Sequence, residues 1–178
     1  GDLDYVRALA EEFGYAVAPT ATREQAGERV SSTRIRAALA DADFDIAERL
    51  LGRPFEMAGR VQHGQKLGRQ LDAPTANIAL HRIRSPLHGV YAVNVSGGGL
   101  AGAPGVANVG VKPTIGESLE ATLEAHVLEG SPDLYGERLT VRFRHKLRDE
   151  QKFPSLDALK EGIATDKAKA RAWLADHG

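Results

Sequence analysis

The sequence predicts a mainly β fold of the α+β type, a closed antiparallel barrel or a sandwich, with helices at both ends. Two observations carry this. From Phe55 onward apolar residues recur at alternate positions, the period of a strand with one buried face. Before Gly52 and after Ser155 they recur at three- and four-residue spacing, the period of an amphipathic helix.

The elements follow in order. Leu3, Val6, Leu9 and Phe13 lie on one helical face, and Gly14 is placed to stop that helix. Tyr15 to Ala18 is expected to be a short strand, and Thr20 to Arg29 a polar loop. Ser32 or Thr33 can cap a short helix carrying Ile35 and Leu39. Asp43 can cap the next, with Ile46 and Leu50 on its inner face. Gly52-Arg53-Pro54 breaks the helical pattern, which places a domain boundary there and divides residues 1–52 from 53–178.

Beyond it, Phe55, Met57, Gly59 and Val61 alternate with small or polar residues. Val90 to Val95 is a strand, Gly97-Gly98-Gly99 a turn, and Val106 to Val109 the return. From Leu119 to Val127 the odd positions are apolar, while Glu120, Thr122, Glu124 and His126 share the other face. Leu139, Val141 and Phe143 repeat the pattern, with Arg142 and Arg144 opposite. Two helices are expected to close the chain, the second starting near Asp166 and carrying Trp173 and Leu174.

Composition narrows the function classes. The 178 residues suffice for one good core and part of a second. Lys plus Arg (23) nearly equals Asp plus Glu (24), so a dominant footprint for duplex nucleic acid is not expected. There is no cysteine, which excludes disulfides and thiolate metal sites and fits a reducing compartment. No apolar run reaches transmembrane length and no signal peptide opens the chain, so no membrane partner and a cytoplasmic location are expected.

Four stretches can carry chemistry, each with a plain structural reading beside it. In Gly64 to Asn77, Gly64 and Gly68 with Lys66 and Arg69 suit a loop over phosphates, because glycine admits backbone N–H groups and the cations neutralise charge. Thr75 and Asn77 offer hard oxygens of the kind Mg²⁺ accepts and face one side of an extended segment. The same residues also read as a solvated turn entering a strand. Glu124, held on a strand beside His126, can accept a proton from a hydroxyl, or can belong to a solvent-facing sheet surface. Arg142, Arg144, His145, Lys146 and Arg148 can bind phosphate or single-stranded nucleic acid, or can be a charged strand edge. Ser32, Thr33 and Arg36 suit phosphate binding at a helix start, or an ordinary cap.

Taken together, these stretches resemble the bacterial bifunctional riboflavin kinase/FMN adenylyltransferase (FAD synthetase) family. The matching pieces occur in family order: Ser31 to Arg36, Leu51-Gly52-Arg53-Pro54-Phe55, Gly59-Arg60-Val61 on to Gly68-Arg69, and Pro74-Thr75-Ala76-Asn77. They continue through Gly89-Val90-Tyr91-Ala92, Asn108 to Thr114, Leu123-Glu124-Ala125-His126, Asp133-Leu134-Tyr135-Gly136 and Leu147-Arg148 with Lys152-Phe153.

The resemblance implies a small antiparallel Greek-key β-barrel with C-terminal helices at 53–178, preceded by a short α/β remnant. It implies transfer of the ATP γ-phosphoryl group to the ribityl 5′-hydroxyl of riboflavin, giving FMN and ADP with Mg²⁺. Glu124 matches the family's catalytic base, and Thr75 and Asn77 its pair for Mg²⁺ and phosphate. Gly64, Lys66, Gly68 and Arg69 match its nucleotide loop, and Arg148 a second loop near the flavin. Asp72 stands where glycine is usual.

Residues 1–52, with Ser32, Thr33 and Arg36, resemble only the tail of the family's N-terminal nucleotidyltransferase module and the helices that follow it. That module's His-x-Gly-His motif is absent here, so this chain is expected to make FMN and not FAD. The apolar face of the first helix, Leu3, Val6, Leu9 and Phe13, is expected to want a missing partner sheet, and so to be poorly ordered, displaced or packed elsewhere. A non-catalytic flavin or nucleotide binder is the alternative. An oligonucleotide-binding barrel is disfavoured by the 6% aromatic content, which leaves few rings for base stacking.

Overall fold

The computed structural model describes residues 3–18, 21–25, 27–62, 75–80, 85–113, 119–130 and 132–177. The chain forms two compact units, Gly1–Ser31 and Ser32–Gly178.

In the first unit, α1 (Leu3–Phe13) ends at Gly14, whose φ of 72° is the left-handed stop expected there. Of α1 only Ala10 is buried, and Val6 and Phe13 are exposed. Tyr15 to Ala18 form no strand, since no edge among the described residues pairs with them. The expected polar loop instead contains a small hairpin, β1 (Glu24–Gln25) and β2 (Glu28–Arg29), turning at Gly27 and setting Glu24 opposite Arg29.

The second unit opens with α2 (Ser32–Ala40) and α3 (Phe44–Leu51). Asp43 caps α3 as expected, its carboxylate accepting from the Ile46 N–H at 2.9 Å. Gly52 closes it in the left-handed region, donating to the Glu48 carbonyl at 2.8 Å. The inner face of α3 differs from the expected one: Phe44 and Ala47 are buried, whereas Ile46 is exposed. Phe44, directly after the cap, stacks on Phe143 and meets Tyr91 edge-on.

Six strands follow: β3 (Glu56–Gln62), β4 (Ala76–Ala79), β5 (Gly89–Gly97), β6 (Leu100–Pro113), β7 (Leu119–Val127) and β8 (Arg138–Arg148). They close an antiparallel barrel in the order β3-β4-β7-β6-β5-β8, which leaves no open edge. β5, β6 and β7 are consecutive neighbours, while β4 and β8 reach theirs by longer connections, the Greek-key arrangement. Met57, Val61, Ile78, Leu123, Leu139 and Val141 fill the interior. Tyr91 joins them with its hydroxyl donating to the His88 carbonyl at 2.8 Å, and burial pushes its phenol up to about 12.

Leu39, Phe44 and Ala47 share this core, so α2 and α3 pack with the barrel. The compact unit therefore begins at Ser32, earlier than the change from helical to alternating pattern at Gly52. At the C-terminus one helix, α4 (Leu156–His177), replaces the two expected. The helix runs through Gly162 without a break, and the Asp166 side chain is engaged with Arg148 and does not cap. Ala170 and Leu174 of α4 pack on the outer side of the barrel with Ala92 and Leu128.

Candidate active site

The site lies on the outer face of the barrel. Residues paired directly across neighbouring strands point to the same side. Register therefore sets Asn77 of β4 beside Glu124 of β7, Glu124 beside Asn108 of β6, Asn108 beside Val90 of β5, and Val90 beside Arg148 of β8. Glu124 thus stands mid-row on a rigid strand, with an amide side chain in register on each side.

A cleft of about 320 Å³ opens over this row. Thr75, Asn108, Glu124, His126 and Arg148 contribute polar groups, and Val90, Val106, Phe153, Leu159 and Ile163 apolar ones. Glu150, Gln151, Asp166 and Lys167 add further polar groups at its edge, so polar side chains converge on an apolar patch, as in a small-molecule site. Its outer wall is the segment after β8 together with α4, and Glu124 and His126, which line the cleft, are half-buried and not fully solvated.

Two bulges in the pairing of β5 with β8 end the strict alternation of β8, leaving Arg144 and Leu147 as the extra residues. In this stretch His145 stacks on Trp173 with ring centroids 5.0 Å apart, Leu147 packs with α4, and Arg148 lines the cleft.

Asn108 donates through Nδ2 to Glu150 Oε1 at 3.3 Å, and its Oδ1 is buried without a partner among the described residues. Turning the amide over would set two oxygens against each other, so this orientation is the favourable one. Arg148 makes a two-pronged ion pair with the buried Asp166, its shortest bond 2.7 Å from Nη2 to Oδ2. Lys146 donates to Asp149 at 2.7 Å, which with its charge holds that exposed carboxyl below the usual range.

Of the residues singled out from sequence, Thr75, Glu124, His126 and Arg148 line one cleft, and Asn77 is the register partner of Glu124. Gly64, Lys66, Gly68 and Arg69 lie outside the described residues, as does Asp72. Ser32, Thr33 and Arg36 sit at the start of α2 and do not line the cleft. Two other cations of β8 singled out from sequence have internal partners. Arg142 reaches Glu48 at 3.5 Å, and Arg144 reaches Asn94 and the His177 carbonyl.

Sequence reasoning missed Asn108, Glu150, Phe153 and Asp166. Asp166 did leave a signal, because it interrupts the apolar stripe Leu159, Ile163, Ala170 and Leu174 on one helix face. Among the described residues no group of three or more His, Cys, Asp or Glu can hold a metal ion, and no helix is long and apolar enough to cross a membrane.

Fold and cleft together define a closed barrel domain with a carboxylate on the wall of a cleft of small-molecule size. The family described as Flavokinase: Riboflavin kinase matches residues 51–174, and the chain belongs to it. The chain is 55% identical over 175 residues to the bifunctional riboflavin kinase/FMN adenylyltransferase of Pseudomonas fluorescens, covering 98% of this chain and 56% of that protein. It is 47% identical over 174 residues to the Escherichia coli (strain K12) protein of the same name, covering 98% and 55%. The chain thus spans about half the length of these relatives.

Among solved structures it is similar to the riboflavin kinase from Trypanosoma brucei, at a TM-score of 0.51 and 29% identity over 68% of this chain and 80% of that one. It is also similar to a Streptococcus pneumoniae crystal structure described as a macrolide-efflux protein, at a TM-score of 0.73 and 33% identity over 94% and 55%.

Proposed function

We propose that the barrel unit transfers the γ-phosphoryl group of ATP to the ribityl 5′-hydroxyl of riboflavin, giving FMN and ADP. The observation that carries this is the placing of Glu124 on the cleft wall with Thr75 and Arg148, mid-row between Asn77 and Asn108.

In this reading the Glu124 carboxylate takes the proton of the hydroxyl while that oxygen bonds to the γ-phosphorus and the bridge to ADP breaks. Phosphoryl transfer asks for positioning and charge neutralisation more than covalent help. Thr75, just before β4, and Asn77 on it, at the Glu124 end of the row, would hold Mg²⁺ with the nucleotide. The absence of a carboxylate and histidine cluster among the described residues fits an ion held mainly by phosphates and waters with one or two protein oxygens. When bound, Mg²⁺ supplies charge neutralisation at the phosphates. Gly64, Lys66, Gly68 and Arg69 would cover the nucleotide, and Arg148 would face the flavin.

The isoalloxazine rings suit the apolar part of the cleft, Val90, Val106, Leu159 and Ile163. The buried Asn108 oxygen is a site for a ligand hydroxyl to donate to. Residues 1–52 are proposed as the tail of an adenylyltransferase module and the helices after it. The longer protein would then carry FMN on to FAD, while this chain, lacking His-x-Gly-His, would stop at FMN. A cytoplasmic location fits such a biosynthetic enzyme. Nucleic acid is disfavoured as a partner because Arg142 and Arg144 are already engaged within the protein.

The test is chromatography of riboflavin incubated with Mg-ATP and the protein. FMN and ADP should form in equal amounts. Glu124→Gln should lower kcat by about 10²- to 10⁴-fold at an unchanged unfolding midpoint. Flavin fluorescence quenching without product would make the chain a binder only. Unaltered turnover in the glutamine variant would remove the base from Glu124.

A further inference from the structure

We infer that Asp166 is a positioning residue for the cleft, fixing the Arg148 guanidinium so that its remaining N–H groups serve the ligand. The inference rests on the reading of the cleft as the flavin and phosphoryl site.

Arg148 ends β8, and Asp166 lies mid-helix in α4, so their bond ties the barrel to the outer wall of the cleft. Arg148 Nε meets Asp166 Oδ1 at 3.0 Å and Oδ2 at 3.1 Å, and Nη2 meets Oδ2 at 2.7 Å. Nη1 donates to the Asp149 carbonyl at 2.9 Å. The Phe153 ring lies 5.5 Å from the guanidinium carbon. Phe153 is itself held against Gly162 of α4, where an added Cβ would come within 2.5 Å of the ring.

An arginine has five N–H donors in a fixed fork. Asp166 uses one on Nε and one on Nη2, and Asp149 uses one on Nη1. One donor remains on each terminal nitrogen, a pair able to grip two oxygens of a phosphoryl group or a flavin carbonyl. A carboxylate, a carbonyl and an aromatic ring set the plane in which that pair lies. Both Arg148 and Asp166 line the cleft, so the setting is made at the ligand's edge.

Stability alone accounts poorly for the pair. A buried ion pair is weak support for a fold, because desolvation offsets its attraction, and a hydrophobic pair of similar volume often does as well. Asp166 also occupies an otherwise apolar stripe of α4 where an aliphatic residue would pack. Asparagine there would turn an NH₂ group toward the guanidinium donors and release the fork.

The experiment is a double-mutant cycle on FMN formation using Asp166→Asn, Arg148→Ala and the pair, with riboflavin affinity read from fluorescence quenching. Asp166→Asn should lower kcat/KM by up to about 10²-fold, the cost of misplacing a reacting or binding group by about 1 Å. In the Arg148→Ala background it should cost almost nothing further, because Asp166 acts through Arg148. Asp166→Glu should restore part of the loss. Additive losses, or a lowered unfolding midpoint with kcat/KM intact, would overturn the inference. If Asp166→Asn does not fold, Asp166→Glu in both backgrounds supplies the same comparison. If the unaltered protein makes no FMN, the kinase reading fails, and the cycle on flavin affinity alone still decides whether Asp166 works through Arg148.

Discussion

At the scale of single residues, Asn108 is the group whose surroundings most demand a ligand. Its Oδ1 is buried without a partner among the described residues, while Nδ2 is tied to Glu150. A buried acceptor left unmet costs about 1–3 kcal/mol, so a hydroxyl arriving from the ligand recovers that amount on binding. Asn108→Ala should therefore weaken riboflavin affinity by roughly tenfold in fluorescence titration, in line with that penalty. Asn108→Asp should weaken it more, since a second carboxylate would face Glu150. Affinity unchanged in both variants would place the flavin elsewhere. Alternation along β7 puts Glu124 on its polar face in the sequence, but that pattern alone fits a solvent-facing surface, and its role as base comes only from the family resemblance. Asn108 was not legible, because its meaning comes from Glu150, which is close in space and remote in sequence.

At the scale of elements, local chemistry and long-range pairing divide what could be read. The Asp43 cap, the Gly52 stop and the β7 alternation depend on neighbours within a few residues, and each appears where the sequence places it. The inner face of α3 was misjudged because Phe44 turns inward only when Phe143 is there to receive it at 6.2 Å. The bulges of β8 were equally hidden, since they arise from pairing with β5. Phe44 thus acts as a stopper of the barrel core, touching Tyr91 as well as Phe143. Phe44→Ala should lower stability by about 3–5 kcal/mol, the usual cost of emptying a buried phenylalanine site. Urea denaturation would measure it. The cleft lies on the outer face, so the folded fraction of the variant should keep its affinity for riboflavin. A loss under about 1 kcal/mol would mean that Phe44 packs loosely, as at a surface position.

At the scale of the whole chain, the question is where the barrel unit begins. Among the described residues its core cluster includes Leu39, Phe44 and Ala47 and no residue before Ser32. A chain starting at Ser32 therefore retains every core side chain of the barrel, whereas one starting at Arg53 loses the two helices that complete it. The first truncation should move the thermal midpoint by less than about 2 °C, equivalent to no more than about 0.5–1 kcal/mol at this size. The second removes Phe44 and its neighbours together and exposes the Tyr91 and Phe143 rings. Its cost should exceed about 5 kcal/mol, at or beyond the low end of a domain's total stability, so the shortened chain should be largely unfolded at 25 °C. Circular dichroism melts of the two chains decide the matter. The family match beginning at residue 51 accommodates either start, so the measurement bears on packing alone. A cooperative melt from the chain starting at Arg53 would show that the barrel closes without α2 and α3, and that the break at Gly52-Arg53-Pro54 is the true edge of the folding unit.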